Sequence, residues 1–387
     1  MATITAFFNN MRLAFRLAIA IGIPLLGVFV FGGWLLTDIR SASSEIETVA
    51  DDMTIVAKVS DLVHELQKER GMSAVFLSSG GQKFVTELPV QRTVTDKLNK
   101  GFTAAAQKMK AEHGDPLVTA ALAGALSALD QLETKRRMVS ERSVLAPDSN
   151  LYYTSAIRAL INIGASVAKE ASRPEVTKAV WTYVNFMQAK ERAGIERALG
   201  TPSFAAGLFT PVQQQRYLRN LGEQEAYLQQ FDSFATKAEH AYWEQTVAGP
   251  IVDNFLALRK MAIETAAGTE LAVKDGPAFF RAATARIDLM RKVEEFIARD
   301  FAAISSALVA SAEGRFNTAL IIVIVLAVAA VGFGAWQAHG ISGGIVGMTV
   351  AMKALASGNT AVEIPASEQR DELGQMAVPH LSCRHEA

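Results

Sequence analysis

Two uncharged apolar runs frame this chain and limit what it can fold into. Leu17 to Leu36 is 20 residues without a charge, and Phe316 to Ala338 is 23. Either run is long enough to cross a bilayer as a helix, which satisfies its backbone polar groups internally. Arg12 and Arg16 precede the first run, as in a secretory signal peptide. The run is too long for a signal peptide and no small-x-small cleavage site follows, so it reads as a retained anchor. Gly22, Pro24, Gly27, Gly32 and Gly33 are tolerable inside a membrane helix. After it come Asp38, Glu45, Glu47, Asp51 and Asp52, opposed nearby only by Arg40. The basic flank stays in the cytoplasm. The expected order is a cytoplasmic N-terminus (1–16), a first span (17–36), an outer segment (37–315) and a second span (316–338). This predicts an inner-membrane protein with a periplasmic or extracellular domain and both termini inside.

The outer segment must hold together by packing alone. It has 279 residues (315 − 37 + 1), and the only cysteine, Cys383, lies outside it. Its apolar residues recur at helical spacing, without long alternating strand patterns. Breaks are expected at Gly80-Gly81, Pro89, Gly114-Asp115-Pro116, Pro147-Asp148, Arg173-Pro174, Gly200-Thr201-Pro202, Gly249-Pro250 and Asp275-Gly276-Pro277. They cut the segment into roughly seven to nine helices, enough for two antiparallel four-helix bundles. The fold class is therefore all-α. A net charge of −1 and a pI near 6.6 give no basic excess, so no nucleic-acid partner is expected.

One phrase is written twice. Gln67-Lys68-Glu69-Arg70-Gly71 returns as Gln188-Ala189-Lys190-Glu191-Arg192-Ala193-Gly194, and Gln91-Arg92 returns as Gln215-Arg216. The offsets are 190 − 68 = 122 and 215 − 91 = 124, which points to a duplicated unit. Val59, Leu62, Val63, Leu66, Ala74 and Leu77 form one helical stripe, and Arg70 falls inside it. Trp181, Val184, Ile195 and Leu199 are expected to make the matching stripe around Arg192. A buried arginine stays charged and needs a partner. Glu69, Glu191 or another acid could supply it as a structural ion pair. Alternatively, both arginines face one cavity and await a small oxyanion, whose planar shape suits two parallel guanidinium hydrogen bonds. Arg92, Arg197 and Arg216 rank below Arg70 and Arg192 as ligand-binding candidates, because exposed positions explain them equally well. Lys68 and Lys190 are expected to be solvated, and Lys135-Arg136-Arg137 to lie on a wet face.

The run Leu62-Val63-His64-Glu65-Leu66-Gln67-Lys68-Glu69-Arg70-Gly71-Met72-Ser73-Ala74, followed by Gly80-Gly81 and Gln91-Arg92-Thr93-Val94-Thr95-Asp96, resembles the start of a nitrate- and nitrite-sensing (NIT) domain. The likeness covers about 55–300. It implies paired four-helix bundles outside the membrane and an oxyanion site using arginines from both halves. Such domains are found on chemoreceptors, cyclases, kinases and antiterminators. After the second span, Ile345, Met348, Met352 and Leu355 keep an a/d rhythm. With Gly358, Val362, Ile364, Pro365 and Asp371-Glu372-Leu373-Gly374 they resemble a HAMP linker over 339–377, although Gly343-Gly344 stands where that family has an early proline. That resemblance implies a homodimer or a mixed receptor dimer. The stretch 378–387 loses the heptad rhythm and reads as a frameshifted or truncated end before an output module.

Catalysis is not expected. His64-Glu65-Leu66-Gln67-Lys68 begins like a zinc-protease helix, but a lysine stands where the second histidine ligand belongs. The six histidines are scattered, and no phosphate-binding glycine loop or Gly-x-Ser-x-Gly occurs, so no metal or cofactor is expected. The sequence predicts a transmembrane receptor for a small oxyanion, nitrate or nitrite favoured. The alternative is a membrane-anchored helical module that binds a partner protein.

Overall fold

The computed structural model describes residues 13–112, 114–170, 174–357, 359 and 362–363. Arg12, the second half of the HAMP-like stretch and the aberrant tail lie outside the described residues. Those described form helices, joined by turns and one isolated bridge between Leu208 and Glu270. In chain order the helices are α1 (Leu13–Ser78), α2 (Glu87–Glu112), α3 (Pro116–Asp130), α4 (Leu132–Ser140), α5 (Ala146–Glu170), α6 (Pro174–Ala206), α7 (Pro211–Phe234), α8 (Lys237–Thr246), α9 (Pro250–Glu264) and α10 (Gly276–Ala356).

Most boundaries follow from local chemistry. Gly80 and Gly81 take positive φ after α1, with Gly81 N–H on Phe76 O and Gly80 N–H on Leu77 O, the paired bonds of a Schellman cap. Asp115 accepts from Leu117 and Val118 N–H to cap α3, with Pro116 in its first turn. Thr210 with Gln213 and Thr236 with Glu239 form capping boxes on α7 and α8. Two expected breaks do not occur. Pro89 is the third residue of α2, where no intrahelical N–H bond is needed. Gly200-Thr201-Pro202 lies inside α6, although its proline cannot donate to the helix ladder. Packing holds that turn, since Gly200, Ser203 and Phe204 are buried.

The chain divides into two compact units, one of residues 1–43 and 310–387 and the other of 44–309. In the first, α1 and α10 pack through small residues. A Cβ on Gly32 would come within 2.9 Å of Val323, and one on Gly334 within 2.7 Å of Ile21. Their other faces leave Ile23, Leu26, Trp34, Ile321, Val328 and Trp336 exposed. Both segments are long and apolar enough to cross a membrane, judged by length and composition.

The second unit has two layers of helices. Its main core joins Val59, Leu62 and Leu66 of α1, Phe102 of α2, Leu122 of α3 and Ile157 and Leu160 of α5. Val180, Phe186 and Met187 of α6 and Met290 and Ile297 of α10 continue it. A second cluster gathers Phe204 of α6, Phe209, Tyr217 of α7, Phe255 and Leu258 of α9, and Phe279 of α10. Glu69 links α1 to α4 and α5, and Glu196 links α6 to α7 and α9, so α1 to α5 and α6 to α10 form two groups, called bundles below, that share the main core. Gly200 is where the second cluster is tightest: a Cβ there would lie 2.3 Å from Phe279, whose ring stacks on Phe204 at 4.5 Å. Gly200→Ala is expected to destabilise the protein by about 1–3 kcal/mol through overpacking. Chemical denaturation of the two proteins measures it.

Candidate functional site

Arg70 leaves α1 toward α5 and α6 and is 1% exposed. Its Nη1 donates to Glu191 Oε1 at 2.6 Å and to Thr154 Oγ1 at 2.9 Å, and its Nη2 donates to Glu191 Oε2 at 3.2 Å. Gln67 Nε2 donates to the same Oε2 at 2.7 Å. The two terminal guanidinium nitrogens therefore hold the planar carboxylate end-on, a bidentate pairing. The ion-pair reading of the sequence holds for Arg70 in this structure.

Arg197, on α6, is 3% exposed and differently served. Its Nη1 donates to Thr284 Oγ1 of α10 at 2.8 Å, its Nη2 to the backbone oxygen of Gln67 at 3.0 Å, and it lies 4.8 Å over the Phe280 ring. Among the described residues no carboxylate forms an ion pair with it. Burial, and then the nearby charge of Arg70, draw its pKa down to about 10, against a weaker opposing pull from Asp288 and Glu191. Arginine nonetheless stays charged at neutral pH.

The two arginines meet across glycines. A Cβ on Gly194 would sit 2.8 Å from Arg70 Nη2, and one on Gly71 would sit 3.3 Å from Arg197 Nη2. Each copy's glycine leaves room for the other copy's guanidinium. Each arginine follows a glutamate that braces its own bundle. Glu69 accepts from Arg136 of α4 at 2.7 and 2.8 Å and from Tyr153 Oη at 2.7 Å. Glu196 accepts from Arg259 of α9 through Nε at 2.7 Å and through Nη2, and from Tyr217 Oη at 2.9 Å. Glu69-Arg70 and Glu196-Arg197 thus play matching parts at an offset of 197 − 70 = 127, whereas Gly71 with Gly194, and Arg136 with Arg259, match at 123. The sequence phrase Lys-Glu-Arg, at 122, had suggested a different register.

Several expected positions are corrected. Arg192 is not inside an apolar stripe; it is partly exposed, pairs with Glu223 at 3.0 Å and lies 5.8 Å from the Tyr227 ring. Lying five residues before Arg197, it is turned about 140° around the helix from it. Of its supposed stripe Val184 is buried, whereas Trp181, Ile195 and Leu199 are only partly so. Arg197 is the buried residue and not a surface charge. Lys190 is not solvated: it is fully buried against Glu294 of α10, and burial lowers its pKa despite that carboxylate. Arg136 is not on a wet face, because Glu69 and Asp96 hold it inside; burial alone would lower its pKa, but their charges raise it. Lys68 is partly exposed beside Glu65. Arg92 braces α2 to α4 through Ser140 Oγ at 2.8 Å and Arg136 O at 3.2 Å, and Arg216 is exposed.

Sequence reasoning passed over Thr154, Thr284, Arg259, Arg286 and the Lys190–Glu294 pair. The Glu-Arg dipeptide at offset 127 was the available signal. Arg286 is buried over Phe255 at 5.3 Å, and its Nη1 has no hydrogen-bond partner. Burial, and then Arg259, lower its pKa to about 10. Its neighbour Glu196 is already held by Arg259. A buried ion without its own partner carries a desolvation penalty that an apolar side chain of similar reach does not. Arg286→Met is therefore expected to raise the melting temperature.

His64 gives a pH dependence. Burial, and then the charge of Lys190, hold its pKa down to about 2, from 6.5. Protonation therefore favours the unfolded chain. The stability it contributes is intact above the ordinary histidine value and is lost as pH falls from 6.5 toward 2. Wild type is expected to lose more stability than His64→Gln between about pH 7 and pH 4, read from urea midpoints across that range.

Known proteins resemble this chain along most of its length. A curated relative, the nitrate regulatory protein of Klebsiella oxytoca, is 28% identical over 281 residues, covering 72% of this chain and 70% of the relative. The solved structure of the NasR transcription antiterminator matches with a TM-score of 0.66 at 23% identity, covering 92% of this chain and 99% of that one, which speaks for a shared fold. Residues 61–302 match the family described as nitrate and nitrite sensing, and that span contains Arg70, Gly71, Glu191, Gly194, Arg197 and Thr284. The chain belongs to the nitrate- and nitrite-sensing family.

Proposed function

We propose that the protein is a transmembrane receptor, without enzymatic activity, whose helical domain binds nitrate or nitrite between Arg70 and Arg197. The observation that carries this reading is the pair of buried guanidiniums packed against Gly71 and Gly194, with the carboxylate of Glu191 paired to Arg70 and none paired to Arg197 among the described residues. Counting these three groups, the buried cluster carries one excess positive charge, which Asp288, an exposed carboxylate of α10, offsets in part. A monovalent anion would neutralise it, and a planar trigonal one would offer oxygens to both guanidiniums. The Arg70 and Arg197 side chains come from α1 and α6, and Thr284 ties Arg197 to α10. Ligand binding would therefore bias the packing of these three helices.

The apolar segments of α1 and α10 support two membrane spans, with the sensor domain outside and the termini in the cytoplasm. A HAMP-like relay in a dimer, of chemoreceptor type, is the output route that the sequence after the second span favours. The Arg70–Glu191 pair also suits a second reading, a structural interaction module whose arginines need no ligand.

Calorimetric titration of nitrate into the purified full chain separates the two. Saturable binding is expected, and Arg70→Ala and Arg197→Ala should each weaken it on the order of a hundredfold, about 1.5–3 kcal/mol for a lost charge-assisted bond. Arg192→Ala and Arg216→Ala should leave it unchanged. Full affinity in both buried-arginine variants would overturn the site. Absence of any heat from folded wild-type protein would favour the interaction module.

A further inference from the structure

The anion held by Arg70 in this structure comes from the protein itself. A carboxylate presents two oxygens in a plane, as two of the three oxygens of nitrate do. Glu191 places its pair against Nη1 and Nη2 of Arg70, where an external oxyanion would place its own. We infer that Glu191 is a built-in competitor: its carboxylate occupies the Arg70 face of the site in the ligand-free protein, and the oxyanion binds by displacing it. This rests on the reading of Arg70 and Arg197 as the nitrate site, and adds what sets its affinity and what the ligand changes.

Glu191 is the carboxylate best suited to leave. Glu69 is held by Arg136 and Tyr153, Glu196 by Arg259, Tyr217 and Gln224, and Glu294 by Lys190 and Arg291. Among the described residues Glu191 is paired with a single cation, Arg70, and otherwise accepts from the amide of Gln67, whose own Oε1 is buried without a partner. Lys190 and Arg197 also feel the charge of Glu191, so cations other than Arg70 lie near it. The exchange also alters the structure. The Arg70–Glu191 ion pair joins α1 to α6. An anion bridging Arg70 and Arg197 joins the same two helices through a different residue of α6, six positions along the chain (197 − 191). Binding therefore trades one α1–α6 contact for another, a discrete change of packing that needs no empty cavity beforehand.

The test is titration of sodium nitrate into full-length wild type, Glu191→Gln and Glu191→Ala, with melting curves in nitrate and in formate. Glu191→Gln keeps the shape and removes the competing charge. Its nitrate affinity is expected to rise by about tenfold or more, the equivalent of at least about 1.4 kcal/mol. Glu191→Ala is expected to melt below wild type and to be restored by formate, a planar carboxylate that fits the vacated position, whereas wild type gains little from formate. If wild type binds nitrate and Glu191→Gln binds it equally or more weakly, the competitor role is overturned while the site stands. If neither protein binds nitrate, the site itself is wrong. Loss of fold in both variants that neither nitrate nor formate reverses would also overturn the inference, which requires an added planar anion to replace the carboxylate.

Discussion

A guanidinium inside a helical core cannot shed its charge, and the packing of this domain answers to that constraint. Arg70, Arg136, Arg197 and Arg286 are all nearly inaccessible to solvent. Each is compensated differently. Arg136 has Glu69 and Asp96, Arg70 has Glu191, Arg197 has a hydroxyl, a carbonyl and an aromatic face, and Arg286 rests over Phe255. Breaking a fully paired buried charge is costly, whereas a charge held by neutral dipoles still attracts an anion. In the proposed site, structure and ligand recognition use the same residue type, distinguished by what lies opposite it.

The duplicated unit places these charges. Within each bundle a glutamate on the central helix fixes an arginine of the third helix position, Arg136 on α4 and Arg259 on α9. The next residue along, Arg70 or Arg197, then points across to the other bundle. Successive residues of a helix are about 100° apart, so a Glu-Arg dipeptide can serve its own bundle with one side chain and the interface with the next. Gly71 and Gly194 complete the device, because any side chain there would press on the opposing guanidinium.

Helices α1, α6 and α10 carry the consequences. Arg70 and Gln67 of α1 meet Glu191 of α6, Arg197 of α6 meets Thr284 of α10, and Lys190 of α6 meets Glu294 of α10. Arg291 of α10 returns to Ser60 and Asp61 of α1. These polar contacts close a loop through three long helices, where the two bundles share one core. Each of the three helices thus touches the other two through polar side chains, and α2 takes no part in this loop.

The sequence by itself determined what is local. Helical periodicity, proline and glycine caps, two apolar runs and the fate of Arg70 inside its stripe were legible because each depends on neighbours within a few turns. Pro89 and Pro202 were misread as breaks because a proline's effect depends on helix position and on surrounding packing. The arginine pairing was not legible, since Arg70 and Glu191 are 121 residues apart. Only the tertiary structure decided that Arg197 and not Arg192 faces Arg70. The physical reason lies in α6, which is buried on several sides at once: Tyr183, Phe186, Lys190, Glu191, Gly194 and Arg197 are all inside. A one-sided stripe identifies the inward face of a peripheral helix. On a central helix it identifies nothing, and the choice passes to which residues find partners across the interface.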